Sequence, residues 1–361
     1  MPSEHEIVDA ERRRGRGALS NRTSRFDTEI REAVDDGWET LATLDAFKTT
    51  VREEAARSII STNDSPDLSF DQSINPYRGC EHGCIYCYAR PTHCYLGHSA
   101  GIDFETQLYA KSNAARLLER ELSRPRYEPK TIALGAVTDP YQPIERTLGI
   151  TRQVLEVLER TGHPVGIVTK SAGVVRDIDI LRRLAERGLV KVAISVTTLD
   201  PWLARRMEPR AATPPKRIDA IRRLSEAGIP TTVMVAPIVP ALNDSEIEKI
   251  LETAQAAGAR DAGYVLLRLP LEIKDLFYEW LATEVPDRAR RVTNILRSMH
   301  GGKDYVSAFG HRQRGSGPYA EQIGQRFRLA MKRLGMAERS LRLRTDHFRK
   351  PARLGEQMSL L

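Results

Sequence analysis

The alternation of two kinds of hydrophobic segment over residues 68–269 restricts the fold of this chain more than any other feature. Short runs rich in β-branched residues, typical of buried strands, alternate with longer segments whose apolar residues recur at helical spacing. The strand candidates are Leu68–Asn75, Thr131–Asp139, Val165–Ser171, Val190–Thr198, Thr231–Val239 and Gly263–Leu269. The helix candidates are Thr106–Ser123, Thr147–Arg160, Val174–Arg187, Pro215–Ala227 and Asp244–Ala257. This order predicts an α/β fold on a parallel sheet with right-handed crossovers.

Parallel strands end at one edge of their sheet, and α/β folds form their functional sites there. The pattern alone fits an open doubly wound sheet and a barrel equally well. No GxGxxG or GxxxxGK[ST] sequence follows a predicted strand, so the common nucleotide-phosphate loops are disfavoured. In either fold, the residues expected to share one rim are Thr138, Asp139, Lys170, Ser171, Thr197, Pro237 and Arg268.

The segments that flank this core predict three regions, residues 1–60, 61–270 and 271–361. In the first region, the Arg- and Gly-rich stretch Arg12–Arg25 is expected to be a mobile arm, and Phe26–Ile60 to supply one or two helices. The third region is expected to be a helical extension with a basic tail. Its helix candidates are Leu271–Ala282, Arg288–Met299 and Tyr319–Arg333, and a Gly-rich loop, His300–Pro318, precedes the last of them.

The sequence also indicates a cytoplasmic protein. No apolar run approaches the roughly 18 residues that a membrane-spanning helix needs. The N-terminus lacks the basic-then-apolar order of a secretory signal. In the cytoplasm thiols stay reduced, so cysteines there are available for metal binding or catalysis.

All four cysteines lie between residues 80 and 94, where they cannot connect distant segments as a disulfide framework would. Cys80, Cys84 and Cys87 form a Cys-x3-Cys-x2-Cys motif directly after the first predicted strand. Three thiolates this close repel one another unless a metal holds them. The spacing therefore predicts a metal centre.

The number of ligands separates two kinds of centre. Structural zinc requires four ligands, usually two well-separated pairs, and here His82, His93 or Cys94 would have to complete the set. A [4Fe-4S] cluster usually takes four thiolates, so three would leave one iron open to an exogenous ligand. An open iron would indicate catalysis, whereas closed zinc would indicate a non-enzymatic module.

A Cys-x3-Cys-x-aromatic-Cys motif ahead of a series of βα units resembles the radical S-adenosylmethionine (SAM) superfamily. The resemblance implies a partial (βα)6 TIM-like barrel over about Leu68–Pro270, a [4Fe-4S] cluster and bound S-adenosylmethionine. It further implies an electron donor, and an enzyme that cleaves the sulfonium reductively to a 5'-deoxyadenosyl radical. The substrate would then lie at the mouth of the barrel.

Three stretches are similar to the spore photoproduct lyase branch and its uncharacterised relatives: Asn75-Pro-Tyr-Arg-Gly-Cys80, Cys87-Tyr88-Ala-Arg and the strand ending in Thr138-Asp139. The resemblance implies that the cluster ligands are Cys80, Cys84 and Cys87, and that S-adenosylmethionine contacts Tyr86, Thr138, Asp139, Lys170, Ser195 and the backbone near Ala236. The chemistry agrees, because a bound zwitterion needs an acceptor for its ammonium and a cation for its carboxylate. Asp139 and Lys170 offer both.

One departure from that branch concerns the hydrogen-atom donor. The repair lyase carries a donor cysteine on its second strand, whereas the corresponding strand here has Ala136 at about that position. Thymine-dimer repair by the same radical relay is therefore not expected. Cys94 and Tyr88 are the alternative candidates for a catalytic hydrogen donor or relay.

The net charge of +7 is concentrated at the C-terminus, where residues 301–361 carry 13 basic and 5 acidic residues. This excess favours a nucleic-acid substrate, as in DNA repair or base modification. The predicted phosphate contacts are Arg312, Arg314, Arg326, Arg328, Lys332 and Arg333. A protein or small-metabolite substrate, with the basic tail merely solvated, is the alternative, and a zinc module is a remote one.

The last five residues, Gln357-Met-Ser-Leu-Leu361, resemble the peptide with which bacterial replication and repair proteins bind the sliding clamp. One amide and three apolar side chains on a flexible tail can fill a preformed cleft. The sequence therefore predicts the clamp as a possible partner.

Overall fold

The computed structural model describes residues 7–27, 45–336 and 341–351. The peptide Gln357–Leu361 lies outside these ranges, as do residues 28–44 of the segment expected to be helical. The described parts of that segment, residues 26–27 and 45–60, contain strand β1 (Thr50–Glu53) and no helix. Strand β1 pairs with a parallel strand that satisfies its backbone groups, and the expectation of one or two helices otherwise falls on residues outside the described ranges.

Ten strands form two sheets within the described residues. They are β1 (Thr50–Glu53), β2 (Ile60–Thr62), β3 (Gln72–Ile74), β4 (Tyr77–Arg78), β5 (Gln107–Ala110), β6 (Ile132–Leu134), β7 (Val165–Thr169), β8 (Val190–Ser195), β9 (Thr231–Ile238) and β10 (Asp261–Leu266). The larger sheet has the order β10-β9-β8-β7-β6-β3-β2, and only the β2–β3 pair is antiparallel. Its six parallel strands are the six that the sequence predicts. The smaller sheet has the order β1-β5-β4.

Helices connect the parallel strands and cover the sheet. The α-helices of the described ranges are α1 (Asp103–Thr106), α2 (Ala114–Leu122), α3 (Glu145–Leu148), α4 (Ile150–Thr161), α5 (Ile178–Glu186), α6 (Pro201–Met207), α7 (Pro214–Glu226), α8 (Ile247–Ala256), α9 (Ile273–Glu284), α10 (Pro286–Ser298) and α11 (Pro318–Arg333). Short 3-10 helices cover Arg90–Leu96, Ala172–Asp177 and Asp244–Glu246. Across the described parts of the chain, no helix is both long and apolar enough to cross a membrane.

One loop, residues 300–317, contacts both edges of the larger sheet. At the β10 edge, the Leu266 N–H donates to the Gln313 carbonyl oxygen at 2.9 Å. At the other edge, in the turn between β2 and β3, Asp67 accepts hydrogen bonds from the Gly310 N–H at 2.7 Å and from Arg312 Nε at 2.6 Å. Because one loop reaches both edges, the sheet curves toward closure, in agreement with a partial barrel.

The strand β6 is shorter than predicted. Thr131–Asp139 has a strand pattern, but the ladder covers only Ile132–Leu134 and the chain turns at Gly135, whose φ is +89°. A Cβ at this position would lie 2.1 Å from the Val168 carbonyl oxygen, so only glycine allows the close approach to β7. The turn directs Thr138 and Asp139 to the rim of the barrel.

The predicted helix Thr106–Ser123 is divided in the structure. Helix α1 ends at Thr106, strand β5 follows, and α2 begins only at Ala114. Residues Gln107–Ala110 alternate between buried and half-buried and pair with β1 on one side and β4 on the other. Tertiary pairing therefore outweighs the helical periodicity of this segment.

Candidate active site

The three motif cysteines lie on one loop, residues 79–88, between β4 and the 3-10 helix Arg90–Leu96. The loop begins at Gly79, whose φ is +74° and at which a Cβ would lie 2.6 Å from the Leu108 side chain. The Cys80 N–H donates to the Phe104 carbonyl oxygen at 2.9 Å. Cys80 and Cys84 are buried, and Cys87 is half-buried. The fold therefore presents the predicted ligands beside the carboxyl end of β3.

The environment of these thiols fits an iron–sulfur cluster. Burial raises the pKa of Cys84 to about 12 and also raises the pKa of Cys80, so their thiolates require a cation for stability. Within residues 7–27, 45–336 and 341–351, no three His, Cys, Asp or Glu side chains are grouped to hold one metal ion. A closed zinc site needs such a group, whereas in a cluster each thiolate binds its own iron. Cys80, Cys84 and Cys87 would hold the cluster.

A side-chain contact connects the cysteine loop to the ends of β6 and β7. His82 Nδ1 lies 3.3 Å from Asp139 Oδ2, and the Asp139 carboxylate also accepts from the Lys170 N–H at 2.7 Å and the Thr169 hydroxyl at 2.6 Å. Burial favours the neutral acid, but His82 and these hydrogen bonds outweigh it and lower the pKa of Asp139 to about 2. Asp139 therefore fixes the loop, and any contact with the methionyl amine has to compete with these partners.

Tyr86 belongs to a buried polar network at the ends of β8 and β9. Its hydroxyl donates to Glu208, which forms an ion pair with Arg217, and the Thr197 hydroxyl donates to Glu208 at 2.6 Å. Burial opposes ionisation of Glu208, but the Arg217 guanidinium outweighs it and lowers the pKa of this carboxyl. The network holds the Tyr86 ring in one orientation.

Lys170 and Thr138 lie at the ends of neighbouring strands, as predicted. The Lys170 ammonium is 5.7 Å from the centre of the Tyr86 ring. It is close enough to Cys84 and Glu208 to stabilise negative charge on both. The Thr138 hydroxyl donates to the Tyr77 carbonyl oxygen at 2.9 Å and is buried, so it bonds to protein rather than facing an open pocket.

Ser195 and Ala236 complete the predicted cofactor contacts. Ser195 is the last residue of β8, is buried, and its carbonyl oxygen accepts a hydrogen bond from Arg217 at 3.0 Å. Ala236 lies near the end of β9, and its carbonyl oxygen accepts from the Thr197 hydroxyl at 3.1 Å. Both positions are at the same edge of the sheet as Lys170, so the fold brings the predicted contacts to one rim, here named the barrel mouth.

Tyr88 extends across the barrel mouth from the cysteine loop. Its hydroxyl donates to the carbonyl oxygen of Ala136, beyond β6, and the Arg268 guanidinium lies 4.5 Å from its ring centre, beyond β10. The residue is 45% exposed, which leaves part of the ring accessible at the mouth. Tyr88 therefore contacts the strand position at which the repair lyase is expected to carry its donor cysteine.

Cys94 has a different environment. It lies within the 3-10 helix, is 1% exposed, and its carbonyl oxygen accepts a weak hydrogen bond from the Ser24 hydroxyl at 3.4 Å. Burial and then the nearby Glu272 carboxylate raise the pKa of its thiol. Cys94 therefore packs in the core against the N-terminal segment.

The N-terminal segment Arg16–Ser20 is buried, so the prediction of a mobile arm is wrong for these residues. Their backbone docks on the fully buried Glu105, whose carboxylate accepts the N–H groups of Gly17 and Ala18, both at 2.9 Å. The composition of the segment does not reveal this docking because its partner is 87 residues away in sequence.

The same carboxylate connects the N-terminal segment to the cysteine loop. Arg90 is fully buried, pairs with Glu105 at 2.5 Å and donates to the Cys84 carbonyl oxygen at 2.9 Å. The N-terminal backbone also packs closely against the cysteine loop. A Cβ on Gly17 would lie 1.7 Å from the Gly83 carbonyl oxygen. The Arg90–Glu105 pair and the N-terminal segment therefore form the outer wall of the cysteine loop.

Several of these residues were not predicted from the sequence as parts of the site. They are Glu105, Glu208, Arg90 and Arg217, which the pattern could not distinguish from ordinary charged side chains. The sequence suggests His82 only as a possible fourth zinc ligand and does not predict its contact with Asp139. The pairing partners of the other four are set by the tertiary fold.

The predicted phosphate contacts in the C-terminal region are only partly free. Arg312 pairs with Asp67, Arg326 with Glu248 and Arg333 with Glu252. The Arg314 guanidinium lies 4.1 Å from the centre of the Tyr264 ring. The charge excess of this region is thus partly neutralised by acidic side chains of the barrel, and a phosphate would have to compete with these carboxylates for Arg312, Arg326 and Arg333. Phosphate binding by these arginines stays a prediction.

The architecture and the cysteine loop define a radical SAM protein, and comparison with protein families agrees. The model of the radical SAM superfamily matches residues 74–254, and the chain belongs to this superfamily. Its enzymes use a [4Fe-4S] cluster and S-adenosylmethionine, which are therefore the cofactors of this chain.

Several of the related proteins are uncharacterised. An uncharacterised protein of Mycobacterium tuberculosis is 38% identical over 232 residues, which cover 64% of this chain and 68% of the relative. An uncharacterised protein of Methanocaldococcus jannaschii is 30% identical over 173 residues, covering 48% and 62%. A Pseudomonas phage M6 protein named radical SAM Nalpha-GlyT isomerase is 24% identical over 283 residues, covering 74% of this chain and 53% of that protein.

Solved structures of spore photoproduct lyase share the fold. One in complex with dinucleoside spore photoproduct superposes with a TM-score of 0.55, at 14% identity, over 79% of this chain and 80% of that chain. A variant of the same lyase gives a TM-score of 0.57 at 15% identity over the same shares of the two chains. This agreement supports the partial barrel that the curved sheet indicates.

Proposed function

We propose that this chain cleaves S-adenosylmethionine reductively at a cluster held by Cys80, Cys84 and Cys87, and that the adenosyl radical acts on a nucleic acid or one of its nucleotides. When bound, the cluster supplies the electron and S-adenosylmethionine supplies the radical. The observation that carries the proposal is the rigid cysteine loop at the barrel mouth, held by Arg90 on one side and by Asp139 on the other.

The cofactor contacts have separate tasks in this proposal. The Lys170 ammonium would bind the methionyl carboxylate, and the Tyr86 ring, oriented by Glu208 and Thr197, would lie against the adenine. Asp139 holds the loop through His82 and presents a carboxylate that stays ionised near neutral pH to the methionyl amine. Thr138, Ser195 and the Ala236 backbone form the wall of the cofactor pocket.

Tyr88 is the hydrogen donor or relay that the surroundings favour over Cys94. It follows the cluster ligand Cys87 in the chain and is partly exposed at the mouth, whereas Cys94 is 1% exposed and packs against Ser24. A phenolic hydrogen at the mouth is accessible to a substrate radical. A thiol in the core is not.

Two relatives support a nucleic-acid substrate through what their names state. The phage protein is named a Nalpha-GlyT isomerase, and the lyase with the shared fold was solved with dinucleoside spore photoproduct. Thymine-dimer repair itself is not proposed, because Ala136 cannot donate a hydrogen atom as a cysteine does.

Two partners belong to the same proposal. An electron donor must supply one electron for each reductive cleavage. The tail Gln357–Leu361 binds the sliding clamp, which would bring the enzyme to replicating or repaired DNA. A pull-down that compares the full chain with one ending at Glu356 tests the clamp, and equal recovery would dismiss it.

The direct test is anaerobic. The protein is reconstituted with iron and sulfide, reduced, and supplied with S-adenosylmethionine in the presence of DNA, of RNA or of neither. We expect 5'-deoxyadenosine in every reduced sample and a modified nucleotide in one nucleic-acid sample. If 5'-deoxyadenosine forms but no nucleotide changes, the enzyme acts on a protein or a small metabolite instead.

A further inference from the structure

At the barrel mouth, beside the cysteine loop, lies a cation that has no ion pair with any of the residues that the structure describes. Arg268 follows β10, and its guanidinium carbon is 4.5 Å from the ring centre of Tyr88. Tyr88 is covalently next to Cys87, and its hydroxyl donates to the Ala136 carbonyl oxygen on the far side of the mouth. The guanidinium is therefore fixed over a ring that is itself attached at two points.

Among the described residues, the charge of Arg268 faces the Tyr88 ring and acts on Asp67 without forming an ion pair. Within the part of the chain that the structure describes, its guanidinium has no hydrogen bond or ion pair. The acidic group near it is Asp67, whose carboxylate already accepts from the Gly310 N–H at 2.7 Å and from Arg312 Nε at 2.6 Å. Arg268 thus differs from Arg312, Arg326 and Arg333, which are ion-paired.

A guanidinium that stacks on an aromatic ring lies parallel to it. Its N–H groups then point outward in the guanidinium plane and remain free to donate hydrogen bonds. That arrangement suits two parallel hydrogen bonds to an oxyanion such as phosphate. Lys170, directly after β7, is the cation proposed for the cofactor carboxylate, so the two charges would bind different ligands.

We propose that Arg268 binds a phosphate group of the substrate and, with Tyr88 beneath it, positions the adjacent nucleotide at the barrel mouth. The inference rests on the proposed nucleic-acid substrate and deepens it. It moves the specific phosphate contact from the C-terminal basic region to a residue beside the cysteine loop. The nucleotide attached to that phosphate then lies within reach of the Tyr88 hydroxyl.

The test measures binding of a fluorescein-labelled single-stranded DNA 15-mer by anisotropy, with cluster-free and reconstituted protein. Arg268→Ala should raise Kd about tenfold, because a charge-assisted bidentate contact is lost. It should also reduce the slope of log Kd against log salt by about 0.7, the share of one phosphate on a single strand. Arg268→Lys keeps the charge but not the fork and should lie between Arg268→Ala and the wild type.

Arg206→Ala is the matched control. The Arg206 guanidinium also stacks on an exposed aromatic, 4.0 Å from the Trp202 ring centre, but it is neutralised by Glu284. This variant should bind DNA like the wild type. A 15-mer of the same sequence with uncharged methylphosphonate linkages should bind wild type and Arg268→Ala equally, which assigns the contact to phosphate rather than to a base.

Two results would overturn the inference. One of them leaves the proposed nucleic-acid substrate intact, and the other does not. If the wild type binds the charged 15-mer but Arg268→Ala binds it as tightly as Arg206→Ala, Arg268 is not the phosphate contact and the substrate class stands. If the wild type binds neither DNA nor the matching RNA, the nucleic-acid proposal fails and the role of Arg268 fails with it. A melting temperature equal to that of the wild type shows that each variant is folded.

Discussion

Gly17 lies directly against Gly83, so closely that a methyl group at position 17 would sit 1.7 Å from the Gly83 carbonyl oxygen. One of these residues belongs to the Arg- and Gly-rich N-terminal segment and the other to the loop between Cys80 and Cys84. The contact makes the N-terminal segment part of the cysteine site, although 65 positions separate the two glycines in the sequence.

Gly17→Ala is therefore expected to disturb the cysteine loop. The added methyl group has to displace backbone, and such overpacking costs about 1–3 kcal/mol. We expect a lower melting temperature of the cluster-free protein, faster tryptic cleavage at Arg16, and less iron retained after reconstitution.

Gly15→Ala is the control for that substitution. Gly15 has a φ of +74° but no atom within 4 Å of its would-be Cβ, so alanine there meets backbone strain of about 1 kcal/mol and no clash. If both variants retain iron equally and Arg16 is equally protected from trypsin, the contact with Gly83 has no influence on the site.

Glu105→Gln should be strongly destabilising. The substitution leaves the Arg90 guanidinium buried without its ionic partner, and removing one member of a buried pair costs about 3–5 kcal/mol. Urea unfolding of the cluster-free protein measures the change. Glu119→Gln breaks the exposed pair with Arg160 and should cost less than about 1 kcal/mol. Equal stability of the two variants would contradict the structural role of Glu105.

Lys170→Met should weaken cofactor binding without unfolding the chain. The substitution removes the ammonium beside Tyr86 while keeping a side chain of similar length, so the methionyl carboxylate loses its counterion. We expect Kd for S-adenosylmethionine, measured by calorimetry on the reconstituted protein, to rise about tenfold. Lys130→Met removes an exposed ammonium paired with Asp71 and should leave Kd unchanged. An unchanged Kd in Lys170→Met would assign the carboxylate to another residue.

Tyr88→Phe and Cys94→Ala separate the two candidate hydrogen donors. Tyr88→Phe keeps the ring beneath Arg268 but lacks the hydroxyl that bonds to Ala136. We expect it to form 5'-deoxyadenosine while yielding several-fold less modified substrate, whereas Cys94→Ala should match the wild type in both products. The reverse pattern would make the buried thiol the donor.

His163 is expected to make stability depend on pH at the base of the barrel. Its ring is buried against Phe348 and lies 2.7 Å from the Tyr127 hydroxyl, and burial lowers the pKa of His163 to about 4. Since the unfolded chain binds this proton near pH 6.5, the free energy of unfolding falls as pH drops from 6.5 to 4, by about 3 kcal/mol.

His163→Gln should remove this contribution in urea unfolding between pH 4 and 7. The contribution of His93, a second buried histidine whose pKa burial lowers to about 4, should remain. A slope in His163→Gln equal to that of the wild type would show that this histidine does not titrate on unfolding.

The sequence predicts the parallel core well because each buried strand carries its own local signal. Val165–Thr169 and Thr231–Ile238 are β-branched runs bounded by glycine or proline, and both appear where predicted. The predicted helix Thr106–Ser123 is correct over Ala114–Leu122 but wrong at its start, where Gln107–Ala110 forms β5 because β1 and β4 offer backbone partners.

The residues of the site also differ in whether local sequence is enough to identify them. Cys80, Cys84 and Cys87 are recognisable because their chemistry depends on local spacing. Glu105 and Glu208 are not, since what distinguishes them from surface carboxylates is burial beside an arginine that the fold brings to them. For the arginines of the C-terminal region, the sequence shows the positive charge. It does not show which carboxylates of the barrel will pair with that charge.

The measurement that tests the central claim most directly is metal and sulfide analysis of oxygen-free protein, made together with the assay for 5'-deoxyadenosine. We predict about four irons and four sulfides per chain, reductive cleavage of S-adenosylmethionine, and loss of both in Cys84→Ala. Zinc without iron, or a full cluster that never cleaves S-adenosylmethionine, would contradict the account.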